Sequence, residues 1–170
     1  MPEHGVSMTP NIPKPHSRGR VHPTSADPEV TPALDFRHLT DEDDHDARTL
    51  VDGIGLARRI AAASPLKDWL VREAAPGPEV TSDEDLSVYA RPAAHTVHHP
   101  AGTCRMGAAD DPMAVVDPSV RVRGPDGARI ADASVSPTMP TVNPVIGVLM
   151  VGERAAALLG RADSPEEECR

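Results

Sequence analysis

Residues 95–107 read HTVHHPAGTCRMG, which sets His95, His98 and His99 within five positions, ahead of Pro100, Gly102, Cys104 and Arg105. Imidazoles this close together can bind a metal, serve as the base for a nucleophile, or take the proton in an oxidation. His95 and His99 are four apart, a ligand spacing suited to a helix. Yet His99 precedes Pro100, and a residue before proline avoids the helical region. On a strand the two would share a face about 13 Å apart, too far for a two-ligand clamp. A zinc site also normally takes three or four ligands, and no metal is expected here. Ser134 could serve a Ser-His-Asp hydrolase, but the chain has no GxSxG elbow. Packing alone accounts for His95 and His98 taken singly, since a histidine on an apolar segment is usually a satisfied structural residue.

These residues need elements to position them. GVSMTPNI and GRVHPTS are predicted strands, punctuated by Pro10, Pro13, Pro15 and Pro23, with an SRG turn at 17–19 between them. A helix is predicted from Thr40, with Thr40 and Asp43 as its capping pair and the DEDDHD carboxylates favoured by the dipole in its first turns. Leu50, Val51, Ile54, Ala57 and Ala61 recur in it at helical spacing. Pro65 opens a short second helix, with Leu66, Trp69 and Leu70 as its apolar face. Thr81 and Glu84 form a capping box for a third, ending near Tyr89. Residues 120–134, VRVRGPDGARIADAS, read as a hairpin turning at GPDG. Asn143 is the expected N-cap of a last helix, with Pro144 at its first position and Gly160 at its end. Its predicted apolar face is Val145, Val148, Leu149, Gly152, Ala156 and Leu159. Gly147 and Gly152 cost helix stability and point to close packing against a backbone or a flat ligand. GIGLAR at 53–58 resembles a dinucleotide fingerprint, but it lies within a helix, follows no strand and has Arg58 where the third glycine belongs.

A chain of 170 residues suffices for one domain, yet it holds only three aromatic residues, Phe36, Trp69 and Tyr89, against 19 Pro and 12 Gly. Its core must come from aliphatic side chains, which bury less area each. The net charge of −9 argues against nucleic acid as a partner. Cys104 and Cys169 form no framework of disulfides. No signal peptide and no membrane-length apolar run is present, so a cytoplasmic location without membrane attachment is expected.

Three stretches then carry a resemblance. HHPAGTCRMG, VVDPSVRVRGPDGARIADASVSPT and TVNPVIGVLMVGERAA, in this order and spacing, are similar to the C-terminal signature of the glucose-methanol-choline (GMC) oxidoreductases. The VNP start of the last helix looks closest to the choline oxidase branch. PKPHSRGRV, the DEDDHDARTLVDGIGLARRIAA helix and TSDEDLSVYAR are similar as well, so the likeness covers about residues 5–160.

The resemblance implies an α+β fold: a partial antiparallel sheet with packed helices, plus a C-terminal segment that completes a cofactor domain. It assigns 1–94 to the later part of a substrate-binding domain and 95–160 to a catalytic, FAD-contacting segment, and leaves 161–170 as an acidic disordered tail. It implies oxidation of a small-molecule alcohol with FAD, a base taking the hydroxyl proton as hydride moves to flavin N5. His99 matches the family's base and Asn143 its second active-site residue. Asp132, Ala133, Ser134, Pro144 and Val145 match flavin contacts. The chemistry is coherent: histidine ionises near neutral pH, and a neutral amide can hold the substrate oxygen without competing for its proton. A helix start at Pro144 would favour negative charge on the flavin ring. Arg105 and Asp117, beside tight turns, are expected to make ion pairs or turn hydrogen bonds. The family's GxGxxG turn for the FAD pyrophosphate is absent from these residues. A separate FAD-binding chain is therefore one expectation, and a truncated, inert fragment the alternative.

Overall fold

The computed structural model describes residues 4–162, which form three α-helices, a two-stranded antiparallel sheet and two short 3₁₀ turns. This is the α+β architecture with a partial sheet. The chain divides into two compact units, Met1–His95 and Thr96–Arg170. Most of the acidic tail expected over 161–170 lies outside the described residues.

In the first unit, strand β1, Arg20–His22, pairs with β2, Ala33–Asp35, in the register Arg20↔Asp35, Val21↔Leu34, His22↔Ala33. Gly19 leads into β1 because a Cβ there would meet the carbonyl oxygens of Asp35 and Phe36, the latter at 2.9 Å. The strand predicted over GVSMTPNI does not form. Pro10 and Pro13 have no N–H to give a ladder, and Pro10 packs instead on helix α1.

Helix α1 spans His45–Ala61, five residues later than the predicted start. Thr40 is engaged elsewhere: its hydroxyl donates to the Arg37 carbonyl at 2.7 Å, and its N–H donates to Ser17 Oγ at 3.0 Å. Asp44 holds the cap position in the left-handed region (φ 55°) without a side-chain cap bond. A Cβ on Gly53 would lie 2.5 Å from Pro10 Cβ, so this glycine of the GIGLAR stretch serves close packing. The short helix predicted to open at Pro65 is only a 3₁₀ turn over Leu66–Trp69, with Pro65 as its cap and not its first residue. Its apolar face does not close on a core, since Trp69 is 82% exposed.

Helix α2, Asp83–Ala93, is capped by Ser82 rather than Thr81. Ser82 Oγ accepts the Asp85 N–H at 3.1 Å and donates to Asp85 Oδ2 at 2.7 Å, a capping arrangement one residue on from the predicted one. It runs past Tyr89 to Ala93, with Pro92 inside its last turn. Helices α1 and α2 pack through Ala47, Val51, Leu86 and Ala90, all buried. Arg91 ties α2 back to the start of α1, donating to the Leu39 carbonyl at 3.0 Å and to Asp44 Oδ1 at 2.7 Å.

The second unit is held by backbone bridges around Val116, Val120 and Val135, each at most 2% exposed. The hairpin forms as bridges rather than strands: Val116↔Val122 and Arg121↔Arg129 are antiparallel, and Met106↔Val116 is parallel. Val122 N–H bonds the Ala128 carbonyl and Ile130 N–H the Val120 carbonyl, both at 3.0 Å, around the GPDG turn. Helix α3 spans Val145–Ala162, so Gly160 does not end it.

Candidate functional site

The histidine segment opens on a turn. Thr96 Oγ1 accepts the His98 N–H at 2.9 Å, and His98 sits in the left-handed region (φ 66°). His99 follows, half-buried, and among the described residues its ring makes no hydrogen bond. Gly102 is also left-handed (φ 84°), where an L side chain would be strained, and a Cβ on it would lie 3.3 Å from the Ser136 carbonyl oxygen. The stretch from Gly102 then lies along the 3₁₀ turn Ala133–Val135. Gly102 N–H bonds the Ala133 carbonyl at 3.3 Å, Cys104 N–H the Ser134 carbonyl at 3.0 Å, and Met106 N–H the Val135 carbonyl at 2.8 Å. Two sequence motifs nearly thirty residues apart are thus joined by backbone alone.

Asp132 caps that turn, accepting the Ser134 N–H at 2.7 Å. Hydrogen bonds from Ser134, side chain first and then backbone, outweigh burial and hold its carboxyl below the usual range. Arg105 and Asp117 have the structural roles expected of them. Arg105 Nη2 reaches both carboxylate oxygens of Asp111, at 2.7 and 2.5 Å. Asp117 Oδ1 accepts the N–H groups of Ser119 at 2.8 Å and Arg121 at 3.0 Å. Arg123 completes the staple, donating to the carbonyls of Asp111, Gly107 and Ala108. The Asp111 carboxyl is lowered chiefly by the Met113 N–H, against burial, with Arg105 and Arg123 adding to the effect.

At the other end of the unit, Asn143 is exposed, Pro144 is buried and Val145 is exposed. The Pro144 carbonyl accepts the Val148 N–H at 2.9 Å, so Pro144 and not Asn143 opens the helical ladder. That geometry frees the Asn143 side chain from the cap predicted for it. The buried positions also differ from the predicted face. Pro144 and Ala155 are buried and Val148, Val151 and Leu158 half-buried, whereas Val145, Leu149 and Leu159 are exposed. The helix is apolar nearly all round, so periodicity cannot choose which stripe packs. Ile146 is 71% exposed, and a Cβ at Gly147 or Gly152 would meet nothing within 4 Å. The close packing expected at these glycines is therefore not made by the described chain.

The structure thus brings Asp132, Ala133 and Ser134 to the histidine segment and sets Asn143 beside Pro144 and Val145. It joins His99 to Asn143 by no hydrogen bond among the described residues. Sequence reasoning missed Thr96, whose only signal was a hydroxyl two residues before His98. It also missed the junction at α1. Asp46, 1% exposed, accepts the N–H groups of His16 at 2.8 Å and Ser17 at 2.9 Å. Ser17 Oγ donates to Asp41 Oδ1 at 3.1 Å, and the His16 and His45 rings stack with centroids 3.9 Å apart. His16, Asp41 and Asp43 bring donor atoms within 4.8 Å of one another, but these atoms are engaged with each other, Ser17 and Asp46. No helix among the described residues is long and apolar enough to cross a membrane.

A family model described as GMC oxidoreductase matches residues 15–152. Choline oxidase from Arthrobacter globiformis is 48% identical over 164 residues, which are 96% of this chain and 30% of that protein. Among solved structures, pyridoxine 4-oxidase from Mesorbium loti superposes with a TM-score of 0.79 at 29% identity, covering 88% of this chain and 28% of that one. An FAD-dependent oxidoreductase from Chaetomium thermophilum superposes with a TM-score of 0.76 at 29% identity, covering 88% and 25%. The chain belongs to the GMC oxidoreductase family, whose C-terminal domain it matches. It spans less than a third of the length of these relatives.

Two features at the start of α3 are compatible with a flavin ring. The first-turn N–H groups of α3 lack intrahelical acceptors, and no acidic residue stands in that turn to repel an anion. Beside them the apolar side chains of Val145 and Ile146 are exposed and Gly147 is open.

Proposed function

We propose that this chain is the C-terminal, catalytic portion of an FAD-dependent alcohol oxidoreductase acting on CH–OH groups. On this reading residues 1–94 are the later part of the substrate-binding domain and 95–160 the segment that faces the cofactor. The observation that carries it is the backbone ladder from Gly102 to Met106 along Ala133–Val135, which unites two family motifs next to a half-buried, unengaged His99.

Within that frame His99 takes the proton of the substrate hydroxyl. A neutral imidazole is a suitable acceptor near neutral pH, and its lack of a hydrogen bond leaves its nitrogens free for substrate. Asn143, exposed and outside the cap position, donates its amide to the substrate oxygen and steadies developing charge there. Asp132, Ala133, Ser134, Pro144 and Val145 hold the flavin, which when bound supplies the acceptor for the hydride leaving the alcohol carbon. The start of α3 favours negative charge on the ring. Because no pyrophosphate-binding GxGxxG turn occurs among these residues, FAD retention depends on a further FAD-binding portion, in the same protein or in a separate chain.

The test is reconstitution. The chain, combined with an FAD-binding portion of the family, should yield a protein with bound-flavin absorption that is bleached by a small alcohol. A folded, flavin-bound product that no alcohol reduces would contradict the reading and favour an inert remnant.

A further inference from the structure

His99 lies between two fixed points. On one side Thr96 Oγ1 accepts the His98 N–H at 2.9 Å, and His98 is left-handed at φ 66°. Non-glycine residues are uncommon in that region, although histidine is among the few that tolerate it. On the other side Pro100 keeps His99 out of the helical region, and Gly102 is pinned to the Ala133 carbonyl. The direction of the chain entering His99 therefore depends on the turn at His98, and the Thr96 hydroxyl holds that turn.

We propose that Thr96 is a positioning residue for His99, acting through the left-handed conformation of His98. The proposal rests on the reading of His99 as the base. It assigns Thr96 and His98 no contact with substrate. What matters at position 96 is a hydroxyl, and what matters at position 98 is tolerance of a positive φ.

The experiment compares Thr96→Val, Thr96→Ser, His98→Val and the double variant Thr96→Val/His98→Gly in the flavin-loaded holoenzyme, with His99→Ala beside them. Loss of one hydrogen bond predicts a kcat about five-fold lower for Thr96→Val, with KM nearly unchanged. Thr96→Ser keeps the hydroxyl and should keep kcat. A β-branched residue is strained at positive φ, so His98→Val should lower kcat at least as much as Thr96→Val. Glycine adopts positive φ without that cost, so the double variant should recover most of the loss. A second readout needs no turnover: in the full chain, Thr96→Val should speed exchange of the His98 amide proton about five-fold and move the NMR signals of the His99 ring. Unchanged kcat in Thr96→Val, or a double variant no better than the single one, overturns the positioning role. An active His99→Ala enzyme would overturn the base assignment itself, a separate outcome. If Thr96→Val does not fold, His98→Val carries the same test with Thr96 intact.

Discussion

The starts of α1 and α3 are built in opposite ways. At α1 five carboxylates among the six residues Asp41–Asp46 crowd the helix entry with charge, and polar atoms there are met from within the chain by His16, Ser17 and Arg91. At α3 no acid enters the first turn, the cap position is a proline, and Val145, Ile146, Leu149 and Met150 face outward. The first start is a finished junction that ties the HSRG segment to a helix. The second is unfinished within the described chain, with helix N–H groups and apolar area open to a further surface. Under the proposed function, that surface would be the flavin and the portion that binds it.

The contrast can be broken at several points. The largest stability effect is expected at Asp46. Replacing it with alanine leaves the N–H groups of His16 and Ser17 without partners next to a buried site, a loss of about 3 kcal/mol in chemical denaturation. A loss under about 0.5 kcal/mol would show that the junction is ornamental. Acid should act next. The folded-state carboxyls of Asp41, Asp111 and Asp132 are held below their ordinary value of 3.8. Burial opposes this at Asp41, where hydrogen bonds from Asp46, Ser17 and His45 outweigh it. A depressed carboxylate stabilises the fold fully above the unfolded value and loses that contribution as pH falls through the folded one. Stability should thus stay level with respect to these groups from pH 7 toward 5 and decline below about 3.8. Asp41→Asn should flatten that decline, and an unaltered acid limb would contradict it.

Smaller stability effects, with larger functional ones, are expected at α3. Ile146→Ser and Leu149→Ser should change the stability of the chain by less than about 0.5 kcal/mol, because both side chains are exposed. They should nonetheless weaken flavin retention in the assembled enzyme. A large stability loss in the isolated chain would mean that this face is covered from within. Asn143→Ala should likewise leave stability within about 0.5 kcal/mol, since Pro144 opens the ladder. Its turnover should fall about ten- to a hundred-fold, through loss of a donor to the substrate oxygen. A cap-sized loss of stability with normal turnover would reverse that assignment.

The sequence revealed the two kinds of region unequally. The motifs from His98 to Ala156 identify the family, because many short stretches in one order are hard to meet by chance. Helices α1 and α2, the turn roles of Arg105 and Asp117, and the bridged GPDG turn were also readable from local pattern. The helix starts were not. Thr40 has the residue type of a cap but is held by Ser17, more than twenty positions upstream. Nothing in DEDDHD singles out Asp46 as the buried carboxylate, for its partners lie about thirty positions away. On α3 the pattern failed for another reason: apolar residues occur on every side, so only tertiary contact selects the stripe through Pro144, Val148, Val151, Ala155 and Leu158. The features proposed to position the candidate base, the Thr96 hydroxyl and the left-handed Gly102, follow no periodic pattern that a sequence displays.

The most direct measurement is alcohol-dependent flavin reduction in the assembled enzyme, with His99→Ala compared with His95→Ala. Flavin reduction should fall about 10²–10⁴-fold in His99→Ala, the scale of a lost general base. In His95→Ala it should change by no more than a few-fold. Equal losses from the two, or normal reduction by the His99 variant, would contradict His99 as the single base.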